Sequence, residues 1–324
     1  MIRNRKVALA AVTSALALAF TSSGATAAYA SGEKITFIQG VTGDGFYISM
    51  NCGIQTEAKK LGVTVDVQGG NKWDATIQVP ILSSVVASKP AAILMAPNDV
   101  TALQKPVEAA IAAGIKVVMV DTTIGDPSKV VAQVSSDNVG GGAAAFIAMK
   151  QLNPKGGILL VISTSPGVST VDARIKGFNN AAKKDKKFKV LKVQYSNNEP
   201  TKAAQITTSA IAANPKLVGI FATNLFSAEG AATGIAQAKK NGKIKIVGFD
   251  AGANEVKALK SGTVQALVAQ QPSSIGVQGL DQAVAALRGQ PVKKKIGTGF
   301  SILTAKNINT PAGMAAQYLT KCPS

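Results

Sequence analysis

In this chain, side chains suited to holding a hydroxyl-rich molecule recur just after short apolar runs. Ile35–Ile38 leads into a segment containing Asp44, Phe46 and Tyr47. Val117–Val120 is followed by Asp121, Thr122 and Thr123, and Val218–Phe221 by Thr223 and Asn224. Ile244–Phe249 gives way to Asp250, and Val264–Val268 leads to Gln270. A carboxylate accepts hydrogen bonds from hydroxyls, an amide donates and accepts, and an aromatic face covers the C–H surface of a ring. Taken singly, an Asp or Asn after a strand also reads as a turn former or helix N-cap, and Phe46 and Tyr47 as ordinary core. Their recurrence at the same end of successive runs marks a candidate site, because ligands of open α/β sheets sit beyond the carboxyl ends of the strands.

Composition narrows the chemistry. The chain has no histidine, which excludes Ser–His and Cys–His nucleophiles and histidine metal sites. It contains neither a G-x-S-x-G elbow nor a G-x-x-x-x-G-K-[ST] phosphate loop. No catalytic residue, metal ligand or cofactor is expected; only aspartate pairs leave room for acid–base work, as in a secreted hydrolase without histidine. Net charge is +18, from 35 Lys and Arg against 17 Asp and Glu. The lysines are scattered in short groups such as Lys59-Lys60, Lys183-Lys184, Lys239-Lys240 and Lys293 to Lys295, mostly where helices end. There they complement the helix dipole and keep the surface soluble, or draw the protein to an acidic envelope; nucleic-acid binding is not expected.

Along the chain, the apolar runs alternate with helical spacing. Runs at Ile35–Ile38, Val63–Val67, Ala92–Met95, Val117–Val120 and Val130–Val134 form one set. Ile158–Ile162, Val190–Val193, Val218–Phe221, Ile244–Phe249 and Val264–Val268 form another. Continuous β-branched runs of this length suit strands of a parallel sheet buried on both faces. Between them, Asp99 or Thr101 is placed to cap a helix with Leu103, Val107, Ala110 and Ile111 on one face, and Gly114 to stop it. Gly62 stops the first helix in the same way, and Pro80 and Pro106 are expected to bend the helices that contain them. The fold class is α/β with crossover helices, and a break at Ser135 to Asn138, ahead of the Gly140–Gly142 triplet, marks a lobe boundary.

Residues 1–30 read as a secretory signal. Arg3, Arg5 and Lys6 precede an apolar run from Val7 to Phe20, and Ala28-Tyr29-Ala30 precedes a cleavage point before Ser31. The run falls short of the roughly 20 residues of a membrane span, although an uncleaved anchor is the competing reading. No cysteine follows it, so no lipid attachment is expected. Export makes the pair Cys52 and Cys322 favour a disulfide, the alternative being two separate thiols.

Several short motifs, in order from Lys34 to about Asn309, resemble the ribose/galactose class of periplasmic sugar-binding proteins, the substrate-binding subunits of ABC importers. They are Gly43 to Tyr47, Val120-Asp121, Ser136 to Gly141, Arg174 to Phe178, Val247 to Asp250 and Ala269 to Pro272. The resemblance implies the type I periplasmic-binding fold: two Rossmann-like lobes with parallel sheets, joined by a three-strand hinge near Ser136, Gln270 and Gly299. The lobes would comprise 31–136 plus 271–299 and 137–270 plus 300–324. It also implies roles. Asp44, Asp121 and Asp250 would accept from sugar hydroxyls, Asn224 and Gln270 would bridge further oxygens, and Arg174, on a loop entering a helix, would donate. Phe46 and Tyr47 would line the apolar side.

Three departures from the class bear on the ligand. Thr122 follows Asp121 where an arginine is frequent, and Asn198 stands where an aromatic is common. Trp73, the one tryptophan, follows a strand and offers a substitute wall, or packs over a loop. The implied function is capture of a monosaccharide or related polyol by a monomer that delivers it to a membrane permease. A receptor serving a chemotaxis or sensor-kinase partner fits the same residues.

Overall fold

The structure is a computed structural model that describes residues 32–323, so the expected signal at 1–30 lies outside the described residues. The first half of the chain alternates strictly: β1 (Lys34–Ile38), α1 (Gly45–Leu61), β2 (Thr64–Gln68), α2 (Ala75–Ala87), β3 (Ala92–Met95), α3 (Gln104–Ala112) and β4 (Lys116–Val120). β5 (Ala132–Ser136) and α4 (Asn138–Leu152) follow. The alternation continues with β6 (Gly157–Ser163), α5 (Ser169–Ala182), β7 (Phe188–Val190), β8 (Gln194–Tyr195), α6 (Pro200–Ala213) and β9 (Leu217–Ala222). Then come α7 (Leu225–Gln237), β10 (Lys245–Phe249), α8 (Ala253–Lys260), β11 (Ala266–Ala269) and α9 (Pro272–Leu287). The chain closes with β12 (Lys295–Thr298), β13 (Ser301–Leu303) and α10 (Pro311–Ala315).

Two sheets result, one per lobe. The first has strand order β12-β5-β4-β3-β1-β2, with every pairing parallel. The second runs β13-β11-β10-β9-β6-β7 with β8 beside β6, and β13 is antiparallel to β11. Side chains alternate across each strand and feed helices on both faces. In β3, Leu94 joins the core with Met50 and Ile54 of α1 and Leu280 of α9, while Ile93 and Met95 join Leu82 of α2 and Val107 of α3. In β6, Leu159 and Val161 face Phe146 of α4 and Phe178 of α5, while Leu160 and Ile162 face the other way. Among the described residues the chain passes between the sheets three times: from β5 to α4, from β11 to α9 and from β12 to β13.

Local expectations meet the structure unevenly. Gly62 and Gly114 stop their helices with φ of 70° and 86°, the left-handed region that suits glycine. Asp99 accepts from the N–H groups of Thr101 and Ala102, but this only closes a turn; α3 starts at Gln104 without a side-chain cap. Pro106 is therefore in the first turn, where an N–H has no partner in the helix, whereas Pro80 lies inside α2. The run Val190–Val193 is not one strand: β7 ends at Val190 and β8 begins at Gln194, each making a short pairing with β6.

One helix crossing fixes the position of a site residue. A Cβ on Gly142 of α4 would collide with the Arg174 carbonyl, and one on Gly177 of α5 with the Val139 carbonyl. Two glycines facing in opposite directions bring the backbones of α4 and α5 together and set Arg174 in the second turn of α5. It belongs to the helix, not to the loop before it.

Candidate functional site

The carboxyl ends of β1, β4, β9 and β10 and the start of α5 converge on the space between the lobes. The cavity there measures about 40 Å³ and is lined by Asp44, Phe46, Tyr47, Trp73, Asp121, Arg174, Asn198, Asn224, Asp250 and Gln270, together with Val168, Thr170 and Val171. Small-molecule sites usually offer about 300 Å³ or more, so entry of a solute requires the lobes to part. Ten of the eleven residues picked from the sequence thus meet at one place. The eleventh, Thr122, is 1% exposed and lines a neighbouring cavity of about 340 Å³ beside the hinge.

Each side chain is held by its own element. Asp44 caps α1 by accepting from the Phe46 N–H at 2.8 Å, so its capping and cavity-lining roles coexist. The Tyr47 hydroxyl donates to Asp121 Oδ2 at 2.8 Å, and Trp73 lies nearly parallel to the Tyr47 ring with centroids 6.3 Å apart. Phe46 and Tyr47 line the cavity and are also members of the hydrophobic core. Asn224 starts α7 without a side-chain cap; its Nδ2 instead donates to Asn198 Oδ1 at 2.6 Å. Asp121 and Asp250 have φ of 63° and 88°, a conformation that residues other than glycine adopt at a cost and that clusters at functional sites.

Arg174 is the cationic centre. Its Nε donates to Asn138 Oδ1 and its Nη1 to the Thr223 carbonyl, both at 2.8 Å, and its guanidinium lies 3.9 Å from the centroid of Phe249. Asn138 opens α4, Thr223 follows β9 and Phe249 ends β10, so three elements fix the fork. Phe249 itself packs beneath the arginine and is not among the lining residues.

The cavity residues' buried atoms without a partner are acceptors. Asp121 Oδ1, Asn224 Oδ1 and Gln270 Oε1 are buried and make no hydrogen bond, and each such atom costs about 1–3 kcal/mol. Protons partly compensate. Burial, with the Asp250 charge adding, raises the Asp44 carboxyl to about 8 against the opposing Phe46 N–H. Burial raises Asp121 to about 6, opposed by the Arg174 charge and the Tyr47 hydrogen bond. Burial and the Asp121 charge push the Tyr47 hydroxyl well above its ordinary value, so it remains a donor.

Residues 35–291 match the profile of the periplasmic binding protein domain. The chain belongs to that family. Among relatives of this periplasmic binding protein, the ribose import binding protein of Bacillus subtilis is 33% identical over 282 residues, spanning 85% of this chain and 90% of the relative. The D-allose-binding periplasmic protein of Escherichia coli is 32% identical over 264 residues, spanning 79% and 84%. An ABC transporter solute-binding protein from Agrobacterium vitis, solved with α-D-tagatopyranose, superposes with a TM-score of 0.87 at 39% identity, covering 88% of this chain and 99% of that one.

Sequence reasoning missed Thr170 and Val171, although both stand one helical turn before Arg174, a spacing that shares its face. It also missed Tyr318, whose hydroxyl touches Asp250 and Gln270 across 68 and 48 residues of sequence. No local pattern signals that contact. The cysteines do come together: Cys52 on α1 is bridged to Cys322, with Cα atoms 5.1 Å apart.

Proposed function

We propose that this periplasmic binding protein captures a neutral monosaccharide or related polyol between its lobes and delivers it to the membrane permease of an ABC importer. The observation that carries the reading is the set of buried, unpartnered acceptors around one cavity, faced by the fixed Arg174 fork and the Phe46–Tyr47–Trp73 wall. Ring hydroxyls supply donors to Asp44, Asp121, Asp250, Asn224 and Gln270, ring or hydroxyl oxygens accept from Arg174, and the aromatics cover C–H surface. A ligand that satisfies these groups stabilises the closed arrangement over the open one, a shift between two states of a hinged pair of lobes. The sugars of the relatives set the range to try first.

In this reading the lobes comprise residues 31–136 plus 271–299 and 137–270 plus 300–324, and the protein works as an exported monomer without a lipid anchor, cofactor or chemical step. The test is calorimetric titration with D-ribose, D-allose, D-tagatose, D-arabinose, hexoses, polyols and inositols. One tight ligand, recovered unchanged after long incubation and lost in Asp250→Ala, supports the reading. Failure of every polyol to bind, or turnover of the one that does, overturns it.

A further inference from the structure

The C-terminal segment forms a strap from one lobe to the other. After β13 leaves the second sheet, the Tyr318 N–H donates to the Ala251 carbonyl at 2.9 Å, on the second lobe. The very next N–H, of Leu319, donates to Ser49 Oγ on α1 of the first lobe at 2.7 Å. Further on, Cys322 is covalently joined to Cys52 on the same helix. Adjacent residues are thus fastened to opposite lobes, and the bridge secures the far end.

Between these fastenings lies a buried hydroxyl that reaches two residues of the cavity. Tyr318 is 7% exposed, and its ring meets Phe46 with centroids 5.8 Å apart. Its Oη donates to Asp250 Oδ1 at 3.0 Å and accepts from the Gln270 N–H at 2.9 Å. Gln270 Nε2 donates to the same Asp250 oxygen at 2.7 Å, while the Leu225 N–H takes Oδ2 at 3.0 Å. Asp250 has a positive φ, so no regular backbone sets its direction; these donors do. Burial and the Asp250 charge hold the Tyr318 hydroxyl well above its ordinary titration range, which keeps its proton available.

We propose that Tyr318 is a positioning residue: held by the Cys52–Cys322 strap, it aims the Asp250 carboxylate and the Gln270 backbone at the bound solute. This rests on the cleft being the solute site. The residue touches no ligand itself; it fixes a carboxylate that does.

The exported protein and its Tyr318→Phe and Cys52→Ser/Cys322→Ser variants are titrated with the sugar that binds best among D-ribose, D-allose, D-tagatose and D-arabinose, and with its monodeoxy analogues. Tyr318→Phe keeps the ring contact with Phe46 and removes only the hydroxyl. It should bind the parent sugar roughly ten- to a hundredfold more weakly, the range of a hydrogen bond to a charged group. The deficit should vanish for the analogue lacking the hydroxyl that Asp250 receives and persist for the others, whereas loosened packing lowers every affinity alike. The serine pair should show the same uneven pattern. Unchanged affinity in Tyr318→Phe, or a uniform loss across the panel, overturns the proposal. A ligand-free readout separates this from failure of the sugar reading: exchange of the Gln270 amide, whose acceptor is Tyr318 Oη, should quicken at least about tenfold in both variants. If that amide stays equally protected, the strap has no positioning role whatever the cleft binds.

Discussion

Closing the cleft on no ligand buries carboxylates that cannot all stay charged. In the closed arrangement Asp44 is raised from 3.8 to about 8 and Asp121 to about 6, burial being the leading cause for both. A closed form with raised carboxyl pKa values holds more protons than an open form with ordinary ones, so rising pH favours opening. At 1.36 kcal/mol per pH unit, the Asp44 penalty on closure at pH 7 reaches about 4 kcal/mol and that of Asp121 about 3 kcal/mol. Both figures take the open form's carboxyls at the ordinary 3.8; the Phe46 N–H, which stays with Asp44 when the lobes part, lowers Asp44 there and so enlarges its share. The penalty is absent below about pH 4, grows through pH 4–8 and is constant above about 8. Small-angle scattering on ligand-free protein between about pH 4.5 and 9 should show the radius of gyration rising with pH. Asp44→Asn keeps the cap on α1 and mimics the protonated carboxyl, so its rise should be smaller and complete near pH 6, where Asp121 titrates. A radius that does not change with pH, or an Asp44→Asn variant that follows the parent curve, would refute this electrostatic account of closure.

Three further outcomes follow from the same contacts. Arg174→Lys removes the hydrogen bonds to Asn138 and Thr223 as well as the planar stack on Phe249, and should weaken sugar binding at least about a hundredfold by calorimetry. Glu255 is fully buried beside Asp250, and burial raises its carboxyl well above the ordinary value. Folded protein therefore holds that proton where unfolded chain releases it, and stability drains away as pH rises above about 4.5; Glu255→Gln should gain on the parent across about pH 5–8 in urea unfolding. Gly142→Ala drives a methyl into the Arg174 carbonyl at the α4–α5 crossing and should cost about 1–3 kcal/mol of stability. Scanning calorimetry reads that loss, and an unchanged melting point would show that the crossing can relax.

The sequence by itself determined most of the buried strands and the end of the sheet where the candidate site lies, but not β8, β12 or β13. Runs such as Ala92–Met95 are apolar at every position because β3 feeds a core on each face. Polar residues follow the runs because only beyond the strand ends does the backbone turn out of the core. The disulfide was half visible: export and an even count favoured it, but separation in space is a tertiary fact. Tertiary structure alone decided what each polar group does. Asp44 and Asn224 look alike in sequence, each just before a helix, yet Asp44 caps its helix and Asn224 bonds Asn198 instead. Thr122 sits next to Asp121 but points its chemistry to a different cavity, since successive residues leave a strand in different directions. Val190–Val193 carries a strand composition but only Val190 pairs, at the end of β7, because strands form where a partner edge exists and not where propensity is highest. Tyr318 was beyond reach for a related reason. Its partners lie 48 and 68 residues earlier, and a contact made by packing distant segments leaves no period or spacing in the sequence to read.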